Sequence, residues 1–322
     1  MNSWEPDVVS RAAELARARA SSALVIVQGG DTVLEEYWLP SEPVLGLEVL
    51  PDGRTREDVA SAQKSVTSLL VGAAVERDLL DIDAAVTDYL GPGWTRGTPS
   101  SESAITVRHL LSMTSGLDDH LDVVAEPGDV WFYNLGAAYH CIKGVLCAVA
   151  GKGLNELSSE WLFDPLEMGE TSWVDRPVPE GTPTQQLAYH CYPDGKPFEA
   201  LVTSARDLAR LGTGMLRGLP GISADYLAQA LCPSTALNPA YGLLWWVNGQ
   251  PWHVQPRSLD RTDGWLIPGA PADLVGMLGA HGRSVHVVPS RQLVVVRLGA
   301  NPGGAALAAS SFGHELWALL GS

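Results

Sequence analysis

Lysine is scarce in this sequence: only four occur in 322 residues, at 64, 143, 152 and 196. The formal net charge of −16 offers no basic surface for a phosphate backbone or an anionic bilayer, so neither nucleic acid nor membrane is an expected partner. Cysteine is also rare. Cys141, Cys147, Cys191 and Cys232 make no CxxC pair and no zinc-ligand spacing, which predicts reduced structural thiols and no metal site. No apolar run reaches the roughly 18 residues that span a bilayer. The opening Met1–Asp7 has neither the basic nor the apolar region of a signal peptide, and a cytoplasmic location is the expectation. P-loop, HExxH and GxGxxG fingerprints are missing: His314-Glu315 lacks a second histidine, and Gly151-Lys152-Gly153 lacks phosphate-loop spacing. Nothing implies a cofactor.

What is present points to a globular protein. Hydrophobic residues make up 46% of the chain and there are 11 tryptophans, enough for one large domain or two interleaved lobes. Residues 7–20 read as an amphipathic helix, followed by strands at 23–28 and 32–39 joined through Gly29-Gly30-Asp31. Helical patterns fill the middle, at 61–77, 107–113, 135–150, 154–162, 204–217 and 223–231. Strand patterns return at 241–248, 274–278, 284–288 and 292–298, and a last helix is expected at 305–320. Strands at both ends with helices between them predict an α+β fold: one antiparallel sheet from both termini, flanked by terminal helices, with a large, mostly helical insertion. The expected division is a sheet lobe of residues 1–60 plus 235–322 and a helical lobe of 61–234. The active site would lie at the seam.

Ser61 falls where the chain crosses from sheet to helices, and Lys64 stands three residues later. At a helix start this spacing puts the amine one turn beyond the hydroxyl on the same face. The other lysines have His140, Val149 and Pro193 at the equivalent position, so the match is unique. Val66, Leu69, Leu70, Val71, Ala73, Ala74 and Val75 make the following helix too apolar for a surface position, so Lys64 is expected to be buried. A buried lysine kept neutral suits removal of a proton from a serine nucleophile. Tyr133 lies in a loop just before a helix, a candidate second proton carrier. Gly279 and Gly282 flank Ala280-His281 and permit close backbone approach, so an N–H there would join that of Ser61 in an oxyanion hole.

Ser61-x-x-Lys64, Tyr133-Asn134 and Gly279-Ala280-His281-Gly282 follow the order of the three boxes of the serine β-lactamase and penicillin-recognition superfamily, which the chain resembles from about 20 to 318. Flanking stretches resemble its class C, carboxylesterase and 6-aminohexanoate-dimer-hydrolase-like amide-hydrolase branch: 105–117 (ITVRHLLSMTSGL, with Met113 where histidine is usual), 204–210 and 241–246. The resemblance implies a β-lactamase-like fold and an acyl-enzyme at Ser61. It implies Lys64 as general base and Tyr133 as the base/acid that protonates the leaving group, its pKa depressed by a charged Lys64. The backbone N–H groups of Ser61 and Arg283 would bind the oxyanion.

Two departures bear on substrate. The third box reads Ala280-His281-Gly282 rather than Lys-Thr/Ser-Gly, so the cation that meets a β-lactam carboxylate is missing. Leu135 occupies the usual asparagine position of the second box, with Asn134 adjacent. Both favour a cofactor-independent esterase or amidase acting on a small, fairly apolar molecule over a β-lactamase or D-peptidase. Asn134, His281, Gly282, Trp131 and Trp245 are the substrate-binding candidates, with further aromatic wall from Phe132, Trp246, Trp252 and Trp265. Asp118, Asp119 and His120 read as solvated loop residues. A degenerate binding or assembly module is the competing reading from another class.

Overall fold

The computed structural model describes residues 6–176, 197–256, 258–303 and 310–321. Cys191, Lys196 and the first five residues of the expected 305–320 helix lie outside the described residues. Among those described, the strands are β1 (Ser21–Gln28), β2 (Asp31–Tyr37), β3 (Glu48–Val49), β4 (Thr55–Asp58), β5 (Ser172–Asp175) and β6 (Glu199–Ser204). They continue with β7 (Trp246–Val247), β8 (Trp252–Val254), β9 (Arg261–Asp263), β10 (Val275–Gly279), β11 (Arg283–Val288) and β12 (Leu293–Gly299). Six form the main sheet in the order β2-β1-β12-β11-β10-β7, and every pairing in it is antiparallel.

The sheet draws on both chain ends, as the sequence pattern predicts, with β1 paired to β12 through Val25↔Val296 and Ile26↔Val295. The β10, β11 and β12 strands are buried along their whole length, which requires cover on both faces. Neighbouring residues of β11 show how it is supplied. His286 accepts a hydrogen bond from Trp317 Nε1 at 3.0 Å, seating the Ser311–Leu320 helix on one face. On the other face Gly212 lies against Val294 and Val287, so closely that an added Cβ would come within 2.6 Å of Val294. The Ala205–Arg217 helix that carries Gly212 therefore covers the sheet, although it sits in sequence among the helices of the middle segment.

Two features depart from the sequence reading. Residues 241–248 do not form one strand: Leu244 has φ 64° and Gly242 donates to Trp245 O at 2.8 Å, so the chain doubles back and Tyr241 bridges Trp246. The second feature is a four-stranded sheet, β3-β4-β6-β5, that joins two strands before Ser61 to two strands inside the region read as helical. Its strands are two to six residues long, and β4 pairs with a partner far along the chain through Asp58↔Val202. Such short strands carry no readable period. No helix among the described residues is long and apolar enough to cross a membrane.

The β4 strand ties the two sheets together. Glu57, wholly buried, accepts Arg283 Nε at 2.8 Å and the Gly299 N–H at 2.9 Å on Oε1, and the Ser22 hydroxyl at 2.6 Å on Oε2. Deleting one member of a buried ion pair strands the other's charge. Glu57→Ala is thus expected to cost about 3–5 kcal/mol of unfolding free energy in guanidinium titrations, and a loss below about 1 kcal/mol would remove this strand from the frame.

Candidate active site

The chain leaves β4 through a tight turn at Ala60–Ala62 and enters the Gln63–Glu76 helix, of which Gln63 through Ala74 are buried. Ala60 holds φ 50°, a conformation that costs a non-glycine residue on the order of 1–3 kcal/mol. The Asp58 carboxylate accepts its N–H at 2.8 Å and so offsets part of that strain. The turn presents Ser61, half-buried, with Lys64 Nζ donating to Ser61 Oγ at 3.4 Å. Ser65 fixes the helix start by donating to Leu244 O at 2.8 Å, and Thr67 shares a hydrogen bond with the Tyr139 hydroxyl at 2.9 Å.

Lys64 is 4% exposed and packs over two rings, its Nζ 4.9 Å from the centroid of Tyr133 and 4.5 Å from that of Tyr139. Burial, with the positive charge of Arg176 beside it, pushes its pKa from 10.5 down to about 7, against a smaller opposing pull from Asp119. The amine is thus poised to be neutral near physiological pH, as the sequence reading required.

Tyr133 reaches the same point from the 131–136 loop, its phenol facing Ser61. Its ring stacks on Trp246 (centroids 5.7 Å, planes at 26°) and meets Tyr241 edge-on at 6.0 Å, with Trp131 tilted against it at 6.1 Å. This aromatic box overturns one expectation. The Tyr133 pKa is raised rather than depressed, because burial disfavours the phenolate and the Ser61 contact only partly compensates.

The structure brings Ser61, Lys64 and Tyr133 together, and Trp131 with them. The Gly279 end of β10 passes directly beside the serine turn: a Cβ there would lie 2.4 Å from Val59 O and 3.2 Å from Ala62 N. Arg283 stands opposite Gly279 across the β10–β11 pair, its side chain buried on Glu57.

Other candidates are employed elsewhere. Asn134 is buried with its amide committed to structure: Nδ2 donates to Asp118 O at 3.0 Å, and Oδ1 accepts from Gly136 N at 3.0 Å and Tyr139 N at 3.2 Å. His281 is exposed in a left-handed conformation (φ 64°), and Gly282 backs onto Pro302 and Ser310. Trp245 is wholly buried and, among the described residues, makes no ring contact with the box. Its neighbour Trp246 does, because the turn at 242–245 exchanges which indole faces Tyr133.

Several residues about the site escaped the sequence reading. Asp119, expected in solvent, is buried and accepts the Leu135 and Gly136 N–H groups at 2.7 and 2.9 Å, pinning the tyrosine loop. Met113 supports the same loop, its carbonyl accepting Phe132 N at 2.9 Å. Lys143 is a second buried lysine, donating to Gln63 Oε1 at 3.2 Å and Glu199 O at 2.5 Å. Its only sequence signal was an apolar neighbourhood on the 137–150 helix.

An antiparallel sheet built from both chain ends, with a serine, lysine and tyrosine converging where sheet meets helix, is the architecture of a β-lactamase-fold serine hydrolase. The β-lactamase family model matches residues 9–311, and the chain belongs to that family. It is 25% identical over 308 residues to an uncharacterised protein of Alkalihalophilus pseudofirmus, covering 90% of this chain and 86% of that one. It is 27% identical over 269 residues to the esterase/β-lactamase LipL of Mycobacterium tuberculosis, covering 74% of this chain and 58% of LipL.

Solved structures agree at the level of fold. EstCE1, a hydrolase with promiscuous acyltransferase activity, superposes with a TM-score of 0.66 at 18% identity over 98% of both chains. A putative 6-aminohexanoate-dimer hydrolase from Bacillus anthracis gives 0.63 at 18% over 95% of this chain and 79% of its own. A class C β-lactamase from Rhodobacter sphaeroides gives 0.61 at 18% over 98% of both.

The buried amine has a thermodynamic signature. Below pH 7 the folded and unfolded chains both carry the charge, and the folded state bears the whole cost of burying it. Between about 7 and 10.5 only the unfolded chain stays protonated, so that cost fades as pH rises. The Lys64→Met variant is therefore expected to be a few kcal/mol more stable than wild type at pH 6, with the margin shrinking towards pH 10. Unfolding curves at several pH values measure this, and a constant margin would contradict the assignment.

Proposed function

We propose that this protein is a carboxylesterase or amidase that forms an acyl-enzyme at Ser61 on small, fairly apolar substrates. The observation that carries this reading is the 3.4 Å contact between Ser61 Oγ and a buried Lys64 amine whose pKa lies near 7. Neutral Lys64 takes the proton as Ser61 attacks the carbonyl carbon. The oxyanion forms against the Ser61 N–H and a second donor from the Gly279–Arg283 turn, each such donor lowering the barrier by about 2.7–4 kcal/mol. Tyr133, protonated at neutral pH, donates to the leaving oxygen or nitrogen and regains a proton from Lys64. Water then attacks the acyl-enzyme by the reverse of these transfers. The two groups act as one unit, so kinetic pKa values belong to the pair.

The surroundings support this substrate class. Trp131, Tyr133, Tyr241 and Trp246 make an apolar aromatic wall beside the serine. The third box holds no lysine, and Asn134 is spent on Asp118 and the loop backbone. Both support a neutral ester or amide over a carboxylated lactam. LipL's description as an esterase/β-lactamase keeps β-lactam hydrolysis as the second reading, and nitrocefin turnover is its test. A cytoplasmic site of action is part of the proposal, supported by Cys141, Cys147 and Cys232, which form no disulfide among the described residues.

Incubation with a fluorophosphonate should add one covalent adduct, located on Ser61 by peptide mass spectrometry and abolished in Ser61→Ala. Failure to label the wild type would sink the reading and favour the binding-module alternative. Tyr133→Phe separates acylation from leaving-group protonation. Because p-nitrophenolate departs without a proton and an amine does not, kcat/KM should fall by about 10²–10⁴ on anilides but far less on p-nitrophenyl esters. Equal losses on both would show that Tyr133 serves another step.

A further inference from the structure

Arg176 ends a chain of contacts that leads to the serine turn. It follows β5, where its N–H donates to Phe198 O at 2.9 Å. Its guanidinium grips Asp58 in a fork, Nε to Oδ2 and Nη2 to Oδ1, both at 2.9 Å. The two side chains are only 11% and 4% exposed. Asp58 Oδ1 also accepts the N–H of Ala60, the left-handed residue immediately before Ser61. A buried ion pair is a poor source of net stability, since desolvation cancels most of the attraction. Its location invites another explanation.

We propose that Arg176 and Asp58 are positioning residues of the acylation site: the carboxylate fixes the strained turn that presents Ser61, and the guanidinium supplies the positive field in which Lys64 sits. The proposal rests on reading Ser61 as nucleophile and Lys64 as base. The titratable groups around Lys64 come from every neighbouring element. Tyr133 and Asp119 belong to the loops before the 137–150 helix, and Tyr139, His140 and Lys143 to that helix. Asp58 lies on β4 and Arg176 after β5. Of these charges Arg176 acts most strongly to hold the amine neutral, while Asp119 opposes it. Asp58 both anchors the guanidinium and tempers its field.

Opposite substitutions should therefore move the pH profile in opposite directions. Arg176→Met removes the positive charge and leaves the Asp58 carboxylate unpaired, so the amine holds its proton to higher pH. Asp58→Asn keeps an oxygen for the Ala60 N–H but frees the guanidinium's field, so the amine loses its proton earlier. The readout is the rate of Ser61 labelling by a fluorophosphonate across pH, on the full chain, with mass spectrometry locating the adduct. Relative to the wild-type acid limb, the limb should move up by about one pH unit in Arg176→Met and down by about one in Asp58→Asn. Arg176→Lys, which keeps the charge, should leave the limb in place.

A purely structural pair would slow labelling at all pH values without displacing the limb, and coincident limbs in both variants would overturn the proposal. Circular dichroism and thermal unfolding check that each variant folds. If Arg176→Met does not fold, the Asp58→Asn displacement decides alone. A wild type that labels with a clear limb while neither variant shifts defeats this inference and leaves the nucleophile assignment standing. A wild type that takes no label at Ser61 defeats both.

Discussion

Two adjacent carboxylates on one short strand organise the molecule. Successive residues of β4 point to opposite faces, so Glu57 and Asp58 look in different directions from the same backbone. Glu57 joins β1, β11 and β12 through Ser22, Arg283 and Gly299. Asp58 faces the serine turn and holds Ala60 and Arg176. Each carboxylate would be costly if left alone in the interior. Each is satisfied by groups that must be in place for Ser61 to be in place, so the position of the serine turn is coupled to closure of the main sheet.

Around that turn, burial outweighs charge. A lysine and a tyrosine packed against one another would be expected to share a stabilising electrostatic bargain, a cationic amine lowering the phenol. The aromatic box excludes enough water that desolvation dominates both groups: the amine is driven toward neutrality and the phenol is held protonated. The proposed division of labour follows from this, with the neutral amine as proton acceptor and the phenol as donor. The left-handed backbone of Ala60 adds strain at the turn that presents the proposed nucleophile.

The loop that carries Tyr133 shows how a departure from a family pattern is absorbed. With Leu135 in place of asparagine, the loop uses the Asp119 carboxylate to accept the N–H groups of Leu135 and Gly136, and Asn134 turns inward to Asp118, Gly136 and Tyr139. Tyr133 keeps its place beside Ser61 while the Asn134 amide is committed within the protein. This arrangement supports the proposed acyl chemistry on a neutral substrate.

The sequence by itself determined the frame and singled out the residues proposed as the reactive centre. Apolar strands at the two chain ends made the antiparallel sheet legible, because short β-branched apolar runs bounded by turn residues leave a local trace even where both faces are buried. Ser61 and Lys64 were legible because both lie on one helical turn, and Tyr133 through its place in an ordered set of boxes. Only tertiary structure decided what depends on residues remote in sequence. The second sheet pairs strands too short to show a period. Asp119 was read as a solvated acid because a single buried carboxylate bonded to backbone N–H groups leaves no pattern. The left-handed turn at Leu244 made Trp246, not Trp245, the indole that meets Tyr133. Arg176 and Lys143 gained their relation to Lys64 from the folding of β5 and the 137–150 helix around it. Chemistry carried on one turn of helix can be read along the chain, whereas the burial and charge that tune it come from elsewhere and exist only once the chain has folded.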